Sequence, residues 1–101
     1  MTPTVGRLVH YTITAANAEA INKRRNDATR SMADHRENAN GVQVHVGNVA
    51  REGDVYPLLI VRVWPGDLVN GQAFLDGNDS LWVTSVGEGE GPGTFAWPAR
   101  V

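Results

Sequence analysis

Hydrophobic residues recur along this chain with two different periods, first every second residue, then every third or fourth, then every second again. Residues 6–13, GRLVHYTI, alternate and are rich in β-branched and aromatic types, which predicts a strand. The face expected to point inward carries Val9, Tyr11 and Ile13. This segment is therefore the first expected strand of a sheet with one buried side.

From about residue 15 to residue 37 the spacing changes to that of a helix. This stretch contains no proline or glycine and is dominated by alanine and long charged residues, which are good helix formers. Thr14 stands at the N-cap position, and Gly41 stands where a left-handed residue commonly ends a helix. The apolar stripe has few large side chains and consists of Ala18, Ile21, Ala28 and Met32. We therefore expect much of this helix to be solvated or to contact another chain.

After Gly41 the two-residue period returns in short segments separated by tight turns. The predicted strands cover residues 42–47, 57–64, 69–75, 80–86 and 94–101. The segment PLLIVRVW at 57–64 is the most apolar and is the expected central strand. The sequence DGND at 76–79 has the composition of a hairpin connection. Connections this short favour antiparallel pairing.

These elements predict one domain over residues 1–101, of the α+β class and mainly β. The expected architecture is a small antiparallel SH3-like barrel with one long helix, at about 15–37, inserted after the first strand. A plain α+β sandwich is the alternative. The three tryptophans, Trp64, Trp82 and Trp97, are expected to lie in the core or to close the barrel.

Composition narrows the classes of partner. A chain of 101 residues with 42% hydrophobic and 20% charged residues is typical of a folded domain. The formal net charge of −2 provides no general attraction to nucleic acid or to an anionic membrane. The longest apolar run, 58–61, is too short to span a bilayer, and residues 1–11 lack the apolar run of a signal peptide. We therefore expect a soluble protein whose partners are proteins, and neither nucleic acid nor membrane.

The glycine-rich run at 87–93, GEGEGPG, does not have the spacing of a dinucleotide-binding loop. That motif requires glycine at a position occupied here by Pro92 or Thr94, depending on the starting glycine. Glu88 and Glu90 would also repel phosphate. The run is therefore predicted to be a long solvated turn that lets the last strand return and close the sheet.

No catalytic, cofactor-binding or metal-binding set is predicted. The segment DGNDS at 76–80 resembles the start of a calcium loop, but Leu81 and Gly87 replace the required glycine and glutamate. The absence of cysteine excludes disulfides and thiolate zinc sites. The histidines are scattered over the predicted elements and are His10, His35 and His45. No cofactor is expected.

The basic segment KRRNDATR at 23–30 has two interpretations. A solvated helix face is one, and a surface that contacts a partner is the other. The candidate contact residues are Lys23, Arg24, Arg25 and Arg30 on the helix, with Phe95 and Trp97 in the closing segment.

The chain resembles a group of short uncharacterised proteins encoded by tailed phages of actinobacteria and their prophages. The resemblance lies in VGRLVHY, REGDVYPLLIVRVW, VNGQAFLDGNDSLWVTSV and GPGTFAWPARV, and it excludes the helix at 15–40. Relatives more often end in Trp-His-Trp-Pro-Glu-Arg, from which Phe95, Ala96 and Ala99 depart. The group has no established activity, so the resemblance implies a phage origin and no catalytic residue.

We therefore expect a non-enzymatic phage structural or accessory protein, such as a head decoration or another virion component, located in the virion or the host cytoplasm. Its partner would be a second copy or another phage protein. One alternative is an infection-stage binding module that inhibits a host defence protein or binds a small nucleotide signal. The other is a small hydrolase, which would require His10, His45 and Asp54 to share one pocket.

Overall fold

The computed structural model describes residues 1–35 and 47–99, and the side chains of residues 1–27 and 47–99. The elements are β1 Leu8–Thr12, α1 Ala15–His35, β2 Val55–Val63, β3 Val69–Phe74, β4 Ser80–Glu88 and β5 Thr94–Ala96. Of the strand predicted at 42–47, only Gly47 is described, and it forms an isolated antiparallel bridge with Gly77. Gly41 and the predicted end of the helix at 37 lie outside the described residues.

Five strands close into a barrel in the order β1-β2-β3-β4-β5, with β5 pairing back to β1. This confirms the predicted small SH3-like barrel with one long helix after the first strand. One pairing differs from the antiparallel prediction, because β4 and β5 run parallel. A closed ring of five strands cannot alternate direction throughout, since five is odd. At least one neighbouring pair must therefore be parallel, and in this barrel it is the pair that the glycine-rich run connects.

The glycine-rich run closes the barrel as predicted. Gly91 and Gly93 have φ angles of +98° and +82°, in the left-handed region that glycine adopts at little cost. The backbone N–H of Gly93 donates to the carbonyl of Thr12 over 2.8 Å, which ties the run to the end of β1. Tyr11 then pairs with Phe95 across β1 and β5.

Alternating residues of the strands fill the barrel. The predicted inward face of β1 is confirmed, because Val9, Tyr11 and Ile13 are all buried. The largest fully buried side chains are Phe95, Ile13, Ile21, Leu58, Ile60, Val9 and Val69. Because α1 contributes Ile21 to the same buried cluster, the first part of the helix belongs to the core.

The start of α1 is determined by local hydrogen bonds. Thr14 is the N-cap as predicted, since its Oγ1 accepts a hydrogen bond from the N–H of Asn17 at 3.0 Å. Asn17 Oδ1 accepts in return from the N–H of Thr14 and also from the hydroxyl of Tyr11. Burial raises the pKa of Tyr11. No helix in the described part of the chain is long and apolar enough to cross a membrane.

Two irregularities bend the sheet on either side of β3. The β2–β3 register shifts between Ile60 and Arg62, and the β3–β4 register shifts between Val69 and Gly71. At the second shift Ser85 has a φ of 53°, and its N–H donates to Asn70 Oδ1 over 2.9 Å. Bulges of this kind raise the local twist, which helps a small sheet to close.

Candidate protein-binding face

Strand β2 is apolar on both of its faces. Leu58 and Ile60 point inward and have no exposed surface. The outward positions from Val55 to Val61 are also apolar, and Val55 is 54% exposed. An antiparallel strand with one solvated face normally alternates apolar and polar residues, whereas a strand covered on both faces reads as a continuous apolar run. The sequence of β2 is therefore that of a covered strand, although its outer side is open to solvent.

The outward positions form a row across four neighbouring strands. Leu8 pairs with Leu59, Leu59 with Gln72, and Gln72 with Trp82. Leu8 is 54% exposed and Trp82 is 49% exposed. Since neighbouring strands lie about 4.8 Å apart, this row extends over roughly 14 Å. We call these four residues the outer row.

Phe74 extends the outer row along the sheet. It lies two residues after Gln72 on β3 and so points to the same side, and it is 46% exposed. The outer row, with Phe74, Val55 and Pro57, is called the outer face below. The outer face is mainly apolar, with the polar Gln72 between Leu59 and Trp82, and a cluster of exposed apolar side chains of this kind typically marks a site of protein interaction.

The prediction that the tryptophans fill the core is wrong for two of them. Trp82 alternates with the inward-facing Val83, so the parity of β4 places its indole outside. Trp64 follows the end of β2 and is 37% exposed, and its Nε1 donates to Asn70 Oδ1 over 3.0 Å. The guanidinium of Arg62 lies 4.0 Å from the centre of the Trp64 ring. Side-chain size therefore does not decide which face a residue takes, and strand parity does.

Trp97 and Phe95 belong to the interior side of the closing segment. Phe95 is 1% exposed, so it contributes to the core and cannot itself contact a partner. Trp97 is partly buried and packs edge-to-face against Phe95, with ring centres 6.1 Å apart. The guanidinium carbon of Arg7 lies over the Trp97 ring, 5.3 Å from its centre. Of the predicted contact residues in this segment, only Trp97 keeps any surface.

Arg24 and Arg25 are both directed at one acid of the β3–β4 hairpin. Arg25 donates two hydrogen bonds to the carboxylate of Asp79, from Nη2 to Oδ1 at 2.9 Å and from Nε to Oδ2 at 3.2 Å. Arg24 adds a third, from Nη2 to Oδ2 at 2.9 Å, and also donates to the carbonyl of Ser80 at 3.0 Å. We call these three residues the ion triad. The triad joins α1 to the tip of the hairpin.

The triad is buried unevenly. The side chain of Asp79 is 0% exposed, that of Arg25 is 8% exposed and that of Arg24 is 34% exposed. Burial alone would raise the pKa of Asp79, but the hydrogen bonds and positive charges of Arg25 and Arg24 outweigh it and hold this pKa below its usual value. Asp79 is therefore ionised at neutral pH and serves as an internal counter-ion.

The other predicted contact residues have different outcomes. Lys23 is exposed beside the triad. Arg30 lies in α1, with its side chain outside the described set. The segment 47–50 packs between α1 and the hairpin, because Arg25 Nη1 donates to the carbonyl of Asn48 and Asn22 exchanges hydrogen bonds with Ala50.

The catalytic and metal-binding alternatives gain no support from the described residues. Asp54 accepts hydrogen bonds from the N–H of Arg51 at 2.9 Å and from the hydroxyl of Tyr56 at 3.2 Å. Burial, followed by the charge and hydrogen bond of Asp54, raises the pKa of Tyr56. His10 occupies an outward position of β1, and His45 lies outside the described residues. Among residues 1–35 and 47–99, no group of three or more His, Asp and Glu side chains is placed to hold a metal ion.

The sequence pattern indicated the basic segment as a candidate contact surface but did not indicate the outer face. The missed signal was the continuous apolar run of β2, because in a sheet with antiparallel neighbours such a run requires cover on both sides. The ion triad could not be read from spacing, since Arg25 and Asp79 are 54 residues apart in the chain. Comparison with known proteins found no matching family model, no matching curated protein and no matching solved structure.

Proposed function

We propose that this protein is a non-enzymatic phage structural or accessory protein, such as a head decoration or another virion component, and that it acts by binding a protein through its outer face. The phage origin rests on the sequence resemblance described above. The observation that supports a binding role is the outer side of β2 and its neighbours, where Leu8, Phe74 and Trp82 are each about half exposed.

The energetics of the outer face suit protein association. Fully burying one large apolar side chain contributes about 1.5–3 kcal/mol, so three half-exposed ones can supply several kcal/mol when a partner covers them. Tryptophan is among the residues that most often dominate binding energy at interfaces. The partner is a second copy of the chain or another phage protein.

The alternative of a nucleotide-signal binder has weaker support. It depends on the charges of Arg24, Arg25 and Arg30. Two of these guanidinium groups already neutralise Asp79, and Arg25 is buried. A phosphate-binding role would require them to exchange an internal partner for an external one.

The proposal is tested by removing apolar surface from the outer face. The variant Leu8→Ser/Trp82→Ser takes away two half-exposed side chains and leaves the buried core unchanged. Val49→Ser is the matched control, because Val49 is 69% exposed but lies in the segment before β2. Copy number in purified virions is measured by quantitative mass spectrometry, and association of the purified protein is measured by analytical ultracentrifugation.

We expect the double variant to lose virion incorporation or self-association at least tenfold while the control keeps both. Absence of the wild-type protein from virions would refute the virion role. Recovery of the wild-type protein from infected cells with a host defence protein, through the same face, would support the inhibitor alternative. Normal behaviour of the double variant would refute the outer face as the binding surface.

A further inference from the structure

Next to the outer face, the β3–β4 hairpin and α1 enclose an open cavity of about 570 Å³. Phe74 and Ser80 line it from the hairpin, and Arg24 lines it from the helix. Phe74 belongs to both the outer face and the cavity wall. A partner that covers the outer face would therefore also reach Arg24.

The net charge of the ion triad is concentrated on the arginine that lines this cavity. Two guanidinium groups and one carboxylate leave a surplus of one positive charge. The side chain of Asp79 is fully buried and accepts three hydrogen bonds from the two arginines, so a cation in the cavity cannot reach it. Arg25 is nearly buried, whereas the side chain of Arg24 is 34% exposed. Solvent in the cavity therefore meets the surplus charge on Arg24.

The hydrogen-bonding capacity of Arg24 is incomplete. A guanidinium carries five N–H donors. The bonds that Arg24 makes with the described residues both come from Nη2. Its Nε is buried with no acceptor among them. Its Nη1 makes no hydrogen bond with the described residues either, and because the side chain is 34% exposed, an acceptor that enters the cavity can reach the Nη1 donors.

We propose that this cavity binds a carboxylate presented by the protein partner, next to an apolar side chain that packs on Phe74. The inference rests on the proposed function and names the chemistry of its partner. A carboxylate matches a single surplus positive charge, whereas a phosphate carrying nearly two negative charges is better matched by two or more cations. The ligand is therefore an acidic residue, or a chain terminus, beside an aromatic or aliphatic residue.

The test uses two dipeptides that differ only in charge. Acetyl-Phe-Glu-amide and acetyl-Phe-Gln-amide are titrated into the ¹⁵N-labelled full chain, and binding is followed by the backbone amide signals of Gly77 and Ser80 and the indole signal of Trp82. We expect the Glu peptide to bind about tenfold more tightly than the Gln peptide, because hydrogen bonds to a charged acceptor are stronger than hydrogen bonds to a neutral one.

Two variants separate the contributions. Arg24→Gln should abolish the preference for the Glu peptide, whereas Arg62→Gln, which alters an exposed arginine on β2, should keep it. Phe74→Ser leaves the ion triad in place and should weaken both peptides by a similar factor, so it remains informative if Arg24→Gln lowers stability.

Equal binding of the two peptides by the wild-type chain would overturn the inference, and so would a preference that survives Arg24→Gln. Displacement of the Glu peptide by an equal concentration of inorganic phosphate would also overturn it, in favour of a phosphate site. These outcomes do not test the role of the outer face in binding. The variant Leu8→Ser/Trp82→Ser tests that role without changing Arg24. A charge preference that persists while the outer-face variant behaves normally would instead refute the proposed function and keep the carboxylate site.

Discussion

Around the β3–β4 hairpin, charged side chains are buried and aromatic side chains are exposed, which is the reverse of the usual distribution. The side chain of Asp79 is fully buried and that of Arg25 nearly so, while Phe74 and Trp82 are 46% and 49% exposed. In most folded proteins ionised side chains stay in water and large apolar ones are covered. The ion triad and the outer face therefore invert the usual distribution within a few residues of one another.

The two regions differ in whether other described residues compensate for the unusual burial or exposure. A buried charge is tolerated when it is paired and its hydrogen bonds are made, and Asp79 meets both conditions through three hydrogen bonds from the two arginines. The outer face has no such compensation among the described residues, which leave Trp82 and Phe74 about half exposed. The buried carboxylate of the triad is thus satisfied by described residues, whereas Trp82 and Phe74 stay about half exposed among them.

The largest expected effect compares an aromatic residue inside the barrel with one outside it. Phe95→Ala should lower the free energy of unfolding by about 3–5 kcal/mol, because Phe95 is fully buried and the change leaves a cavity. Trp82→Ala should change the free energy of unfolding by less than about 0.5 kcal/mol, since Trp82 lies on the outside of the barrel and is 49% exposed. Urea denaturation of the two variants measures both values. Similar losses for the two would show that Trp82 is part of the core and that the outer face is not free.

The next effect compares two acids of the same hairpin. Asp79→Asn should destabilise the chain by about 2–3 kcal/mol, because the buried Arg25 would lose the charge of the carboxylate that accepts two of its hydrogen bonds, while the partly exposed Arg24 loses less. Asp76→Asn is the control and should cost less than about 1 kcal/mol, since Asp76 is exposed and its carboxylate accepts one hydrogen bond from Asn48. Thermal unfolding of the two variants gives the comparison. Equal stability of Asp79→Asn and the wild type would mean that the ion triad contributes nothing to the fold.

A smaller effect concerns the close approach of β3 and β2 beneath the outer face. A Cβ at Gly71 would lie 2.5 Å from the carbonyl oxygen of Leu59 and 3.0 Å from the side chain of Leu58. Gly71→Ala should therefore cost about 2 kcal/mol, as overpacking against backbone cannot relax easily. Gly87→Ala is the control, because its Cβ would meet only the mobile end of the exposed Leu68 side chain at 3.3 Å. If both variants unfold at the same urea concentration, β2 and β3 can move apart at Gly71 and the outer row is not held rigidly.

The smallest effect is the dependence of stability on pH. The hydrogen bonds and positive charges of Arg25 and Arg24 hold the folded pKa of Asp79 below its usual value, so its ionised form is favoured by folding. The stabilisation is complete above the unfolded pKa and is lost as pH falls through the folded pKa. The difference in unfolding free energy between the wild type and Asp79→Asn should therefore be constant from pH 7 to about pH 5 and shrink towards pH 3. A difference that stays constant over the whole range would indicate that the charge of Asp79 does not stabilise the fold.

Local features of the sequence predicted much of the architecture. The alternation of β1 identified its inward face, and the lack of proline and glycine after Thr14 located the helix. The glycine-rich run was recognised as a turn because its spacing failed the phosphate-binding motif and alternating aromatic residues followed it. These predictions succeeded because each depends on residues close together in the chain.

The candidate site could not be predicted in the same way. Phe95 and Trp82 are both aromatic residues on predicted strands, yet one is buried and the other is exposed. Arg24 and Arg25 formed part of a basic segment with two interpretations, and only the approach of the hairpin provided Asp79 as their acceptor. Nothing near these residues in the sequence distinguishes the outcomes.

The sequence by itself determined the order of elements, the helix start at Thr14, the inward face of β1 and the turn that closes the barrel, because periodicity, capping and backbone freedom are local properties. The tertiary structure decided which face of each later strand meets solvent, which strand pair runs parallel and which acid neutralises the basic segment. These depend on the closure of a ring with an odd number of strands and on contacts between residues more than 50 positions apart. Both levels contribute to the outer face. The apolar sequence of β2 is typical of a strand that is buried on both faces, and the barrel buries only its inner face.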